Sequence, residues 1–131
     1  MKYILLPIAA WIIAGSLKFA INFLRNGKKA KDLIGYGGFP STHTTILSSG
    51  VFSVGFAEGF YSPIFAFALS VLIITTIDAH GLRRHVGLHA KEINKAHNAN
   101  LRERMGHTYV EILGGLVLGA ALSYATYEMH Y

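Results

Sequence analysis

Pro63-Ile-Phe-Ala-Phe-Ala-Leu-Ser-Val-Leu-Ile-Ile-Thr-Thr-Ile-Asp78-Ala-His80 carries no charge before Asp78. As a helix it is just long enough to cross hydrocarbon, which takes roughly 17–25 apolar residues. Working outward, three more runs are comparable: roughly Tyr3 to Leu24, Thr44 to Phe60 and Thr108 to Tyr127. A soluble domain of 131 residues rarely holds so many. With 52% hydrophobic residues and positive mean hydropathy, the chain reads as an all-α integral membrane bundle of about four transmembrane helices. Tyr61-Ser62-Pro63 is a turn signal joining the second and third spans in a hairpin.

Lys2 ahead of a long apolar run, with no small-residue cleavage site before the next charges, reads as a retained first span rather than a secretory signal. There is no cysteine, hence no disulfide framework, thiolate nucleophile or zinc–thiolate site. The net charge is +5, unevenly placed. Arg25, Lys28, Lys29 and Lys31 follow the first span, and Arg83, Arg84, Lys91, Lys95, Arg102 and Arg104 follow the third. The positive-inside bias puts both loops in the cytoplasm and both termini outside, as expected of a cell inner-membrane protein. These cations sit beside spans without interleaved aromatics, which argues for anionic headgroups as partners and against nucleic acid.

No repeat or long linker divides the chain, so residues 1–131 form a single domain. In the second loop, Gly81 to Gly106, Leu88, Ile93, Ala96 and Leu101 give an irregular apolar stripe. It suits an interfacial helix or, equally, a solvated charged one. Gly55-x-x-x-Gly59 and Gly115-x-x-x-Gly119 put small residues on one face of two spans, for close packing within or between chains. Four short spans make a thin bundle, for which a homo-oligomer is expected.

The polar residues need reasons. Lys18 lies inside the first span, with Asn22 and Arg25 four and seven residues on, along one helical face. Taken alone, Lys18 is better explained by snorkelling. In Gly37-Gly38-Phe39-Pro40-Ser41-Thr42-His43 the glycines let backbone N–H groups turn toward an anion, and Pro40 suits a first helical turn. Ser41 and Thr42 add hydroxyl donors, and His43 can deliver a proton to a departing oxygen. The bland alternative is an ordinary capped helix start. His107 and Glu111 stand four residues apart, so the carboxylate can orient the imidazole; closing a helix start or chelating a metal are the other readings. Asp78 is followed by Arg83 and Arg84, whose planar guanidinium forks suit either phosphate oxygens or a structural ion pair.

Taken in order, Lys18 with Arg25, the Gly-Gly-Phe-Pro-Ser-Thr-His motif, Asp78-Ala-His-Gly-Leu-Arg-Arg and Gly106-His107 through Glu111 resemble the divergent branch of the type-2 phosphatidic acid phosphatase superfamily. That superfamily is related to acid phosphatases and vanadium-dependent haloperoxidases. The resemblance implies that Lys18, Arg25 and Ser41 bind phosphate and that His43 protonates the leaving alcohol. It implies that His107 attacks phosphorus to form a phosphohistidine, and that Glu111 orients His107 with no metal or other cofactor required. The superfamily's arginine six residues before the histidine falls on Leu101, so Arg83 or Arg84 takes its role, with Arg102 or Arg104 reaching in as the alternative; Asn26 replaces a proline and Glu111 an aspartate. The expected function is a membrane lipid-phosphate phosphatase acting on a phosphomonoester such as phosphatidylglycerophosphate or phosphatidic acid, with its site on the cytoplasmic side. The alternatives are a metal-dependent lipid phosphatase or phosphotransferase using Asp78, His107 and Glu111, and a non-catalytic module that binds anionic lipid.

Overall fold

A computed structural model describes residues 2–29 and 38–129. Lys31 and Gly37 fall outside them. The described residues form five helices and no strand: α1 Lys2–Asn26, α2 Thr42–Glu58, α3 Pro63–His80, α4 Leu82–His97 and α5 Tyr109–Glu128. The architecture is the expected all-helical membrane bundle.

Local chemistry starts and stops these helices. Ser41 caps α2, its hydroxyl accepting from the Thr44 amide, and Gly59 ends that helix at φ +88°, where a side chain would be strained. Ser62 caps α3 ahead of Pro63, and its hydroxyl also donates to the Gly59 carbonyl at 2.8 Å. The α2–α3 hairpin is therefore closed by its own turn, with Phe60 set against Phe56 and Phe65 at 5.4 and 5.2 Å between ring centroids. Thr108 and Glu111 form a reciprocal capping box at the start of α5.

Among the described residues three segments are long and apolar enough to span a membrane: Tyr3–Lys29, Pro63–His97 and Tyr109–Glu128. The second expected span is α2, whose 17 residues rise only about 25 Å. It is the central helix, packed on α1, α3 and α5. Its buried face is polar: Ser41, Thr44, Thr45, Ser48 and Ser49 are all sequestered. Their hydroxyls are satisfied locally, Thr45 donating to the Ser41 carbonyl, Ser49 to that of Ile46 and Ser48 to that of Thr45. Ser48 also donates across to the Gly115 carbonyl of α5 at 3.1 Å.

That contact shows what the glycines are for. A Cβ on Gly115 would lie 2.7 Å from the Ser41 carbonyl, and one on Gly119 would lie 2.6 Å from the Thr45 carbonyl. Gly115 and Gly119 thus join α5 to α2 within the chain, and Gly55 makes room for the Phe60 ring.

The helical hydrogen bonding of α3 runs on through Gly81, whose amide donates to Ile77 and whose carbonyl accepts from His85, but Gly81 itself sits at φ −84°, ψ −87°. Together α3 and α4 make 35 helical residues, more than the roughly 20 that cross a hydrocarbon core of ~30 Å.

Candidate functional site

Two backbone contacts gather three helix ends at one level. The Ser41 amide donates to the Glu111 carbonyl at 2.8 Å, tying the start of α2 to the first turn of α5. The His107 amide donates to the Ala79 carbonyl at 3.0 Å, tying the approach to α5 onto the end of α3. Gly38 lies over the aliphatic stem of Lys18, a Cβ there falling 3.8 Å from Cδ, which adds α1.

Two imidazoles meet where these ends converge. The rings of His43 and His107 stand 6.5 Å apart at 76°, edge to face. Both ring nitrogens of His107 are buried and hydrogen-bond to no described residue. Burial pushes the His107 pKa down from 6.5 to about 4, and the charges of Lys18, His43 and Arg83 push the same way against an opposing pull from Glu111. His43 is also lowered, first by its partial burial and then by Arg83 and Lys18, with Asp78 opposing. A neutral, unpartnered imidazole facing a second one in a field of two cations is suited to attack an electrophile that carries negative oxygens.

The remaining expected residues divide. Arg83 joins the cluster: its Nε donates to Asp78 Oδ2 at 2.7 Å, which holds the guanidinium at the end of α3 where it acts on both histidines. Asp78 therefore serves as its anchor. Arg84 is exposed, and the part of it that matters here is its backbone, against which Gly106 packs. Arg25 is exposed and lies seven residues beyond Lys18, about 10 Å further along α1. Two of the expected residues are engaged at their own helix starts. The Ser41 hydroxyl is fully buried and engaged with Thr44, at 2.8 Å from its Oγ1, and caps α2. Glu111 does not hydrogen-bond to His107; its carboxylate accepts from the Thr108 amide at 2.9 Å, because a glutamate at the third helical position meets its own cap first. Asp78 and Glu111 being so engaged, no three His, Asp or Glu side chains gather as a metal donor set among the described residues.

What positions His107 was not read from the sequence. Gly106 adopts φ +82°, and a Cβ on it would lie 2.9 Å from the Arg84 amide nitrogen and 3.0 Å from the Ala79 carbonyl. Only glycine lets the chain press this close to the α3–α4 junction. His80 Nδ1 lies 3.2 Å from the His107 carbonyl; a carbonyl only accepts, so Nδ1 carries the proton. The His80 ring stacks on Tyr109 at 3.8 Å. Gly106 beside the histidine was the available signal, whereas His80 gave none.

Residues 1–122 match the family model described as the divergent PAP2 family. The chain belongs to the divergent PAP2 family. The resemblance carried by the motifs is thereby confirmed over nearly the whole sequence. This divergent PAP2 protein is also similar to the uncharacterized membrane protein YuiD of Bacillus subtilis (strain 168), at 29% identity across 92% of this chain and 90% of that one. No solved structure matches it.

Proposed function

We propose that this divergent PAP2 protein is a membrane lipid-phosphate phosphatase that hydrolyses a phosphomonoester through a phosphohistidine. The observation that carries this reading is the His43–His107 pair, 6.5 Å apart, with the His107 nitrogens unpartnered and the charges of Lys18 and Arg83 acting on both rings. In-line transfer places a nucleophile roughly 3 Å from phosphorus and an acid within hydrogen-bond reach of the leaving oxygen on the far side, a span on the order of 7 Å. The ring separation is of that size.

In the first step a His107 ring nitrogen forms a bond to phosphorus as the bond to the ester oxygen breaks. The leaving oxygen takes its proton from His43. In the second step His43 removes a proton from water, the hydroxide adds to phosphorus, and the N–P bond breaks to release inorganic phosphate and restore His107. Lys18 and Arg83 neutralise charge on the equatorial oxygens. Gly106 and His80 hold the His107 backbone, while Glu111 secures the start of the helix. The apolar helices set the site at the membrane boundary, and the basic loops favour its cytoplasmic side and a phosphatidic acid or phosphatidylglycerophosphate substrate. The apolar outer faces of α1 and α3 are compatible with lipid or with further copies of the chain in a homo-oligomer.

The test is phosphate release from a panel of lipid phosphates in liposomes. Activity should survive chelator, fall with vanadate, and drop about 10²–10⁴-fold in both His107→Ala and His43→Ala. Release that persists in His107→Ala removes the phosphohistidine route; sensitivity to chelator favours the metal-dependent alternative.

A further inference from the structure

Helix α4 is the one element whose surface the proposed chemistry leaves unexplained. Its sides differ. Gly87 and Ala90 are buried, with Gly87 directly under the Glu103 carbonyl of the returning loop. That loop is clamped by Asn94, whose side chain accepts from the Leu101 amide at 2.6 Å and donates to the Leu101 carbonyl at 2.8 Å. Beside this covered side, Leu82, Val86 and Ile93 recur at steps of four and seven residues and so share a face, yet they are 65%, 42% and 43% exposed. Leu88, expected in the stripe, projects instead on the side of Arg84, Lys91 and Lys95, nearly opposite. Over its length α4 carries four Lys or Arg against one carboxylate, Glu92.

We infer that the Leu82–Val86–Ile93 face of α4 rests on the bilayer, and that the surface it reads is an anionic one. Two features select this occupant over a protein partner. α4 issues directly from α3, a membrane-spanning helix, through the single non-helical residue Gly81, so its first turns begin at the membrane boundary. Its charge is complementary to acidic headgroups, and a helix about 10 Å thick with its apolar side down keeps Arg84 and Lys91 within about one Debye length of them. Docking also bears on the site, because the first turn of α4 holds Arg83 on Asp78 and presents the backbone against which Gly106 packs. The inference does not depend on phosphatase activity.

The chain has no cysteine, so Val86→Cys, Ile93→Cys and Lys91→Cys each give one labelling site in the full-length protein. Carrying an environment-sensitive fluorophore, they are compared in vesicles of phosphatidylcholine alone and with phosphatidylglycerol added. Labels at 86 and 93 should be quenched by lipid-borne quenchers about two-fold or more beyond the label at 91, which aqueous iodide should reach. The difference should grow with phosphatidylglycerol and shrink with salt or when Lys91→Glu and Lys95→Glu are combined with Val86→Cys. Iodide quenching of 86 and 93 equal to that of 91 would overturn the inference. So would labels at 86 and 93 reached by neither quencher, which would mean a protein covers the face, or lipid quenching indifferent to phosphatidylglycerol.

Discussion

Replacing Gly119 with alanine tests the α2–α5 seam on which the site depends. The new Cβ would meet the Ser48 hydroxyl, the Thr45 carbonyl at 2.6 Å and the Ser49 amide nitrogen at 2.8 Å. Ordinary contact begins at 3.4 Å, so α5 must back away from α2 by about 0.8 Å. Two of the three obstacles are backbone atoms within a helix and cannot swing aside. A gap of that size forfeits roughly a quarter to a half of each contact along the seam, and it stretches the Ser48–Gly115 hydrogen bond, now 3.1 Å, beyond bonding range. Overpacking of this kind costs about 1–3 kcal/mol, the interhelical bond adds about 0.6, and alanine returns up to ~1 in helix propensity. With the full propensity gain the net is a destabilisation of roughly 0.6–2.6 kcal/mol. Gly50→Ala is the control: it lies in α2, and its added Cβ meets nothing within 4 Å. Equilibrium unfolding in detergent should rank Gly50→Ala at or above the parent and Gly119→Ala well below it. If the two variants unfold together, the close approach of α2 and α5 is wrong, and with it the route by which His43 and His107 are brought together.

The other predictions concern the site. His107, with its pKa near 4, is already neutral at pH 5 and above, so as a nucleophile it limits the rate only on the acid side; His43 acts as the acid and is lost as pH rises through a value below 6.5. kcat/KM should therefore be a bell on the acidic side of neutrality, and imidazole NMR should show His107 titrating near pH 4, moving up in Lys18→Met; a midpoint at 6.5 would refute its burial among cations. Glu111→Gln keeps a capping acceptor and should leave activity within a few-fold of the parent, while Thr108→Ala loses about 1 kcal/mol of stability; a collapse of activity in Glu111→Gln, measured as phosphate release, would restore the carboxylate as the orienting group. Asp78→Asn frees Arg83 from a half-exposed pair worth only about 0–1 kcal/mol in stability, so its effect should appear in catalysis and match that of Arg83→Lys, with Arg84→Lys near parental; the three are compared by kcat/KM and melting temperature.

Much of this was legible in the sequence because a bilayer imposes simple demands. Apolar runs near Tyr3, Pro63 and Thr108 had no soluble use, and they became α1, α3 and α5. Pro63 after Ser62 marked a helix start, and the order of the charged and histidine motifs identified the family. At α2 the apolar average gave no sign of the buried row of serines and threonines that faces α5.

Composition and local pattern thus determined an all-helical membrane protein with most of its charges near the ends of apolar runs, because those properties depend on each segment's own exchange between water and hydrocarbon. Partnerships between segments were left open. Glycine spacing could not tell an intrachain seam from an interchain one, and two adjacent arginines could not be ranked. A glutamate four residues after a histidine could serve either the ring or its own helix cap. Tertiary structure decided each by distance: α5 lies against the hydroxyl face of α2, Arg83 reaches Asp78, Glu111 turns to Thr108, and two histidines 64 residues apart in sequence face each other at 6.5 Å. Electrostatic and hydrogen-bond partners are selected over a few ångströms of space, and packing alone fixes which residues come that close.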